Sequence, residues 1–149
     1  MHLSRRLAFV GMVLSTIACN DVAAPPTPPI GYALETISGR HLPTFISPIP
    51  EGPTIVYAHM QLATGGKATL TEYRHETNGG DTRYTTGYTY EISGNNIQFD
   101  YDPPCPANAL CAAPPRGTIS GSHLTLAMYG ANSGIVYDFR VVTGVIEPQ

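Results

Sequence analysis

TRYTTGYTYEISGNNIQFDY, residues Thr82 to Tyr101, runs on a period of two. Tyr84, Thr86, Tyr88, Tyr90 and Ile92 share one face if the segment is extended, because successive side chains on a strand point to opposite sides. Ser93-Gly94-Asn95-Asn96 breaks the pattern with residues suited to a tight turn, after which Ile97, Phe99 and Tyr101 resume it. β-Branched and aromatic residues alternating on both sides of a Gly/Asn turn predict a β-hairpin.

The same grammar extends in both directions. Ile30–Ser38 reads as a first strand offering Tyr32, Leu34 or Ile37 to a core. Residues 43–53 carry Pro43, Pro48, Pro50 and Pro53, which suits a loop or an edge crossing and not a central strand. Thr54–Leu62 alternates, with Val56, Ala58, Met60 and Leu62 expected on the core side and Tyr57, His59 and Gln61 on the other. A turn at Thr64–Lys67 leads to Ala68–Glu76, where Glu72, Arg74 and Glu76 share a face that reads as the wet side of a half-buried strand. Asn78-Gly79-Gly80-Asp81 turns the chain into the tyrosine-rich hairpin. After a proline-punctuated loop at Asp102–Pro115 come Gly117–Ser120, a Gly121-Ser122 turn, His123–Tyr129, a turn at Gly130–Gly134 and a last strand at Ile135–Val142. About eight short strands with short connections predict an all-β domain. An antiparallel up-and-down barrel is favoured because closure removes exposed edges, with a β-sandwich as the alternative.

Composition agrees. Charged residues are only 13% of the 149, Gly and Pro together number 29, and nine Tyr and four Phe accompany no Trp. Many turns and few charges suit short strands and argue against long helices or coiled coils.

The first residues read as an address. Arg5 and Arg6 precede an apolar run, Leu7–Ala18, that is shorter than the ~20 residues a bilayer span needs, so residues 1–18 are expected to be an export signal. Thr16-Ile17-Ala18-Cys19 resembles the bacterial lipobox, which implies that Cys19 becomes a lipidated first residue anchored to a membrane. Residues 19–29 comprise Cys19 and Asn20–Pro29 (NDVAAPPTPP), a semi-rigid proline-rich tether, and 30–149 form the single folded domain. Removing the signal leaves six Lys/Arg against eleven Asp/Glu, near −5, with no basic cluster, so nucleic acid is not an expected partner.

Three stretches, Tyr32–Gly39 (YALETISG), Gly87–Ile97 (GYTYEISGNNI) and Gly117–Leu126 (GTISGSHLTL), form a series that resembles the lipocalin-like small β-barrel lipoproteins of bacteria. The likeness covers Gly31 to Val142. It implies a barrel fold in the cell envelope, periplasmic or at the cell surface, and no defined activity; the lipocalin Gly-x-Trp motif is absent.

Candidates for chemistry are few. Cys105 and Cys111 flank five residues between prolines, which in an exported chain predicts a disulfide stiffening a loop. Asp100 and Asp102 form an Asp-x-Asp pair, too few oxygens for a Ca²⁺ site and more simply a solvated strand edge. His41, His59, His75 and His123 are scattered without metal-ligand spacing. Gly117-Thr118-Ile119-Ser120-Gly121 has its serine misplaced for a nucleophile elbow, and Gly65-Gly66-Lys67 lacks the spacing of a phosphate loop. No catalytic residue, metal site or cofactor is therefore expected. Tyr84, Tyr88 and Tyr90 are the candidate ligand-binding residues: turned inwards they make an aromatic wall with hydroxyls, and turned outwards a patch for protein or glycan contact. The expectation is a membrane-anchored, non-catalytic binding module for a small apolar or amphipathic ligand. The alternative is a structural or protein-interaction module of the envelope, acting through its outer face or the Cys105–Cys111 loop.

Overall fold

The computed structural model describes residues 29–46, 52–130 and 132–143, and these form ten antiparallel strands with no helix among them. The expected signal peptide and all but the last residue of the tether lie outside the described residues. The first strand, β1, spans Ile30–Ile37, and two two-residue strands follow, β2 (Arg40–His41) and β3 (Thr44–Phe45). Long strands β4 (Thr54–Ala63), β5 (Lys67–His75) and β6 (Asp81–Ser93) come next. The barrel continues through β7 (Asn96–Tyr101), β8 (Arg116–Ser120), β9 (His123–Ala127) and β10 (Val136–Val142).

Neighbouring strands run β1-β10-β9-β8-β7-β6-β5-β4, and β4 pairs back onto β1 through Ile30↔Leu62 to Ala33↔His59. That pairing closes an eight-stranded barrel, with β2 and β3 added on β1 and β4, and it excludes the sandwich. The barrel has two ends. Ile30, Leu62, the Ser93–Asn96 turn, Ser120–His123 and Val142 lie at the end where β1 starts. Ile37, Thr54, His75–Asp81, Tyr101, Arg116 and Ala127–Val136 lie at the far end, which also carries the Asp102–Pro115 loop.

Alternation places the core. Tyr32, Ile37, Ile55, Met60, Leu62, Ile97, Ile119, Leu124, Leu126, Tyr137 and Phe139 are all fully buried inside the barrel. An eight-stranded barrel leaves room for little besides its inward side chains, and here they fill it. Tyr32, Leu34 and Ile37 all reach the core despite their mixed parity, because the register between β1 and β10 shifts between Leu34 and Thr36.

Three expectations are corrected. Val56 is 48% exposed, not inward, because a bulge between Ile55 and Tyr57 gives β4 an extra residue, and Ile55 takes the core position. Glu72 is not on a wet face: it shares the inward side of β5 with Ala68 and Leu70 and is 4% exposed. Ile92, expected to share the aromatic face, sits beside the hairpin turn and is 38% exposed.

Two glycines are set by close approach. A side chain at Gly117 would overlap the carbonyl oxygen of Thr125 on β9, and one at Gly87 would meet the Asp102 carbonyl at 2.5 Å. The second contact lies where β6 runs past the end of β7. The Asp102 amide donates to the Gly87 carbonyl (3.0 Å), and beyond it residues Asp81–Thr86 pair with β5 alone.

Candidate functional site

The three candidate tyrosines share the inward side of β6 yet line no common cavity. Tyr88 is buried in the packed core, edge-on to Phe99 (5.6 Å) and tilted against Tyr101 (5.3 Å). Burial, with smaller contributions from the Tyr101 and Glu72 charges, raises its hydroxyl pKa above the ordinary range. Tyr90 is half-buried nearer the β1-start end, where its hydroxyl donates to the Ala63 carbonyl at 2.9 Å. Tyr84 lies on the overhang of β6 at the far end, 43% exposed, with the Arg74 guanidinium 4.4 Å from its ring centre.

Glu72 and Arg74 build a charged cluster just inside the far mouth. Arg74 donates to Glu72 at 2.6 Å, and the Tyr137 hydroxyl donates to the other Glu72 oxygen at 2.8 Å. A carboxylate held in a barrel interior is tolerated when its oxygens are satisfied in this way. Burial opposes the Arg74 charge, but the Glu72 charge and hydrogen bond outweigh it and raise the Arg74 pKa. Tyr137 and Tyr129 have raised hydroxyl pKa values from burial first and the Glu72 charge second. Tyr129 stands at φ +58°, a left-handed conformation that a bulky residue seldom adopts. Arg74 Nε is buried and has no hydrogen-bond partner.

The outer wall beside this mouth carries an aromatic row. Tyr57, Tyr73 and Arg83 stand directly opposite one another across β4, β5 and β6, all facing outwards. The Tyr57 and Tyr73 rings are 5.7 Å apart, Arg83 lies 5.6 Å from the Tyr73 ring centre, and His59 extends the row 5.8 Å from Tyr57. Val56, displaced outwards by the bulge, joins Tyr57, Tyr73, Arg74, Asp81 and Arg83 around a pocket of about 310 Å³. A second pocket, about 490 Å³, lies over Gly31 and is bounded by His59, Gln61 and Val142. Burial, and then the Arg83 charge, lowers the His59 pKa. Tyr57 Oη and His59 Nδ1 are both buried without a hydrogen-bond partner.

The remaining candidates sit apart from this wall. Cys105 and Cys111 form the expected disulfide, with Cα atoms 6.2 Å apart. Leu110, inside that loop, is fully exposed, and a cleft of about 680 Å³ runs from Leu110 to Thr89 and Asp100. Asp102 pairs with Lys67 at 2.6 Å, while Asp100 remains exposed on β7. His75 meets Asp81 at 2.8 Å. Among the described residues no three His, Cys, Asp or Glu side chains gather as a metal site.

Sequence reading missed Tyr57, Tyr73 and Arg83, although their meeting was countable. The Thr64–Lys67 turn centres on Gly65, so folding there sets residue 57 opposite 73; the next turn centres on Asn78 and sets 73 opposite 83. Glu72 meeting Tyr137 crosses the barrel, and no counting from a turn reveals it. No family model, curated protein or solved structure matches this chain.

Proposed function

We propose that this protein is an exported, lipid-anchored and non-catalytic binding module of the bacterial cell envelope, taking a small amphipathic ligand at the rim of its barrel. The observation that carries the ligand reading is the pocket of about 310 Å³ on the outer wall. Val56, Tyr57 and Tyr73 give it an apolar and aromatic floor, and Arg83 gives it a cationic edge. Pockets of this size with a few convergent polar groups are the usual form of small-ligand sites. The packed interior supports a site at the rim and not along the barrel axis. Export draws support from the Cys105–Cys111 disulfide, since such bonds persist in oxidising compartments. Anchoring rests on Cys19 after its apolar leader.

Native mass spectrometry of the full chain purified from its own cells tests both parts. A lipid-sized mass increment that disappears in Cys19→Ser is expected, together with a discrete adduct that is absent from Val56→Asp. Unmodified, adduct-free protein in every sample would overturn the proposal.

Leu110 favours a second reading, a protein-interaction module. It is a fully exposed apolar side chain held on a disulfide-closed loop, and a loop held in one conformation loses less freedom when a partner binds it.

A further inference from the structure

We infer that the ligand of the outer wall is an oligosaccharide, laid from the Tyr73–Arg83 pocket across His59 to the groove over Gly31. This rests on the binding-module reading above and gives its ligand a chemical class. Four observations carry it.

The first is the shape of the site. The two pockets are separate, about 310 and 490 Å³, and the side chains between them are Tyr57 and His59, whose rings are 5.8 Å apart. From Tyr57 to Gln61 the strand advances four residues, about 13 Å, so the wall suits an elongated ligand more than a compact one. The second is the setting of the rings. Tyr57 and Tyr73 are tilted 40° to each other, and both remain partly exposed on the outer wall. A sugar ring is itself amphipathic, with an apolar C–H face that packs on an aromatic ring and a girdle of hydroxyls that needs planar polar partners.

The third is the polar surround. Gln61, Asp81 and Arg83 are exposed along the row, and they supply the amide, carboxylate and guanidinium groups that can bracket neighbouring hydroxyls. An alkyl chain would leave these exposed groups to water alone, whereas a hydroxylated ligand can hydrogen-bond to them. The fourth is the filled barrel: the buried side chains pack its interior, and both pockets lie outside that core.

Isothermal titration of the full chain with chitotriose, trigalacturonate and decanoate tests this inference. At least one trisaccharide is expected to bind, with affinity at least tenfold weaker in Tyr73→Ala and in Arg83→Gln and unchanged in Leu110→Ser. Tyr73 faces outwards, so its variant should keep the wild-type circular dichroism. Arg83→Gln provides the same readout if Tyr73→Ala does not fold. Binding of decanoate alone, lost in the same variants, would overturn the saccharide assignment and leave the small-ligand reading standing. Saccharide binding that is indifferent to both variants would also overturn it, by placing the sugar elsewhere. No response to any of the three probes would overturn it too, and an adduct-free native mass would then remove the small-ligand reading with it.

Discussion

Replacing Glu72 by alanine leaves the Arg74 guanidinium inside the barrel mouth without its carboxylate, and leaves the Tyr137 hydroxyl without its acceptor. Breaking a buried pair from one side costs several kcal/mol, because the surviving charge stays desolvated. Glu72→Ala should therefore destabilise the fold by about 3 kcal/mol in urea unfolding. The double variant Glu72→Leu, Arg74→Met should recover much of that loss. If the single and double variants prove equally unstable, packing and not the unpaired charge is what matters. This cluster was not legible in sequence. A charge at every second position has the same spacing whether it faces water or the core, and what decides is Tyr137 arriving from another strand. Val56 escaped for a related reason: the bulge that turns it outwards moves the alternation by one residue without any marker in the local sequence.

Among elements, the hairpins were readable because each turn announces itself. Gly94 and Gly121, both at positive φ, sit where the sequence asks for turns, and the flanking strands run close to their expected bounds. The Asp102–Pro115 loop was equally plain in its prolines and cysteines. Its disulfide closes only a short ring, with a sequence separation of 6. A ring that small should contribute about 2 kcal/mol. Cys105→Ser with Cys111→Ser is expected to lower the unfolding free energy by roughly that amount while leaving far-ultraviolet circular dichroism unchanged, since β7 and β8 pair outside the loop. Unfolding of the barrel on reduction would show that the loop holds β7 and β8 together. Gly117→Ala should be far worse, at more than about 3 kcal/mol, because its methyl group has to displace the backbone of β9. A soluble, stable Gly117→Ala protein would contradict the packing of β8 on β9.

For the molecule as a whole, the tyrosines that make the core also set its alkaline limit. Tyr32 is raised from 10.0 to about 12 by burial first and Tyr90 second, and Tyr88 and Tyr137 are raised as well. A phenol that ionises later in the folded than in the unfolded chain contributes stability that is whole below pH 10 and is lost as pH climbs through the folded value. Each such tyrosine removes about 1.4 kcal/mol per pH unit in that window. Unfolding should therefore be steep above pH 10 and coincide with the rise of tyrosinate absorbance. Titration of these phenols near pH 10 in a still-folded protein would contradict their burial. The fold class was legible at this scale because eight alternating strands with short turns have few ways to hide their edges. The interior was not, since Tyr88 and Tyr90 look alike in sequence while one packs in the core and the other hydrogen-bonds near the opposite rim. Closure has a kinetic counterpart. β1 hydrogen-bonds to β10, joining Gly31 to Val142, so the first strand to be made waits for the last. Contacts between positions so distant along the chain slow folding, and a chain lacking β10 leaves β1 and β9 as open edges. The barrel can therefore close only once β10 has been made, so the first strand keeps one edge open until synthesis has passed Val142.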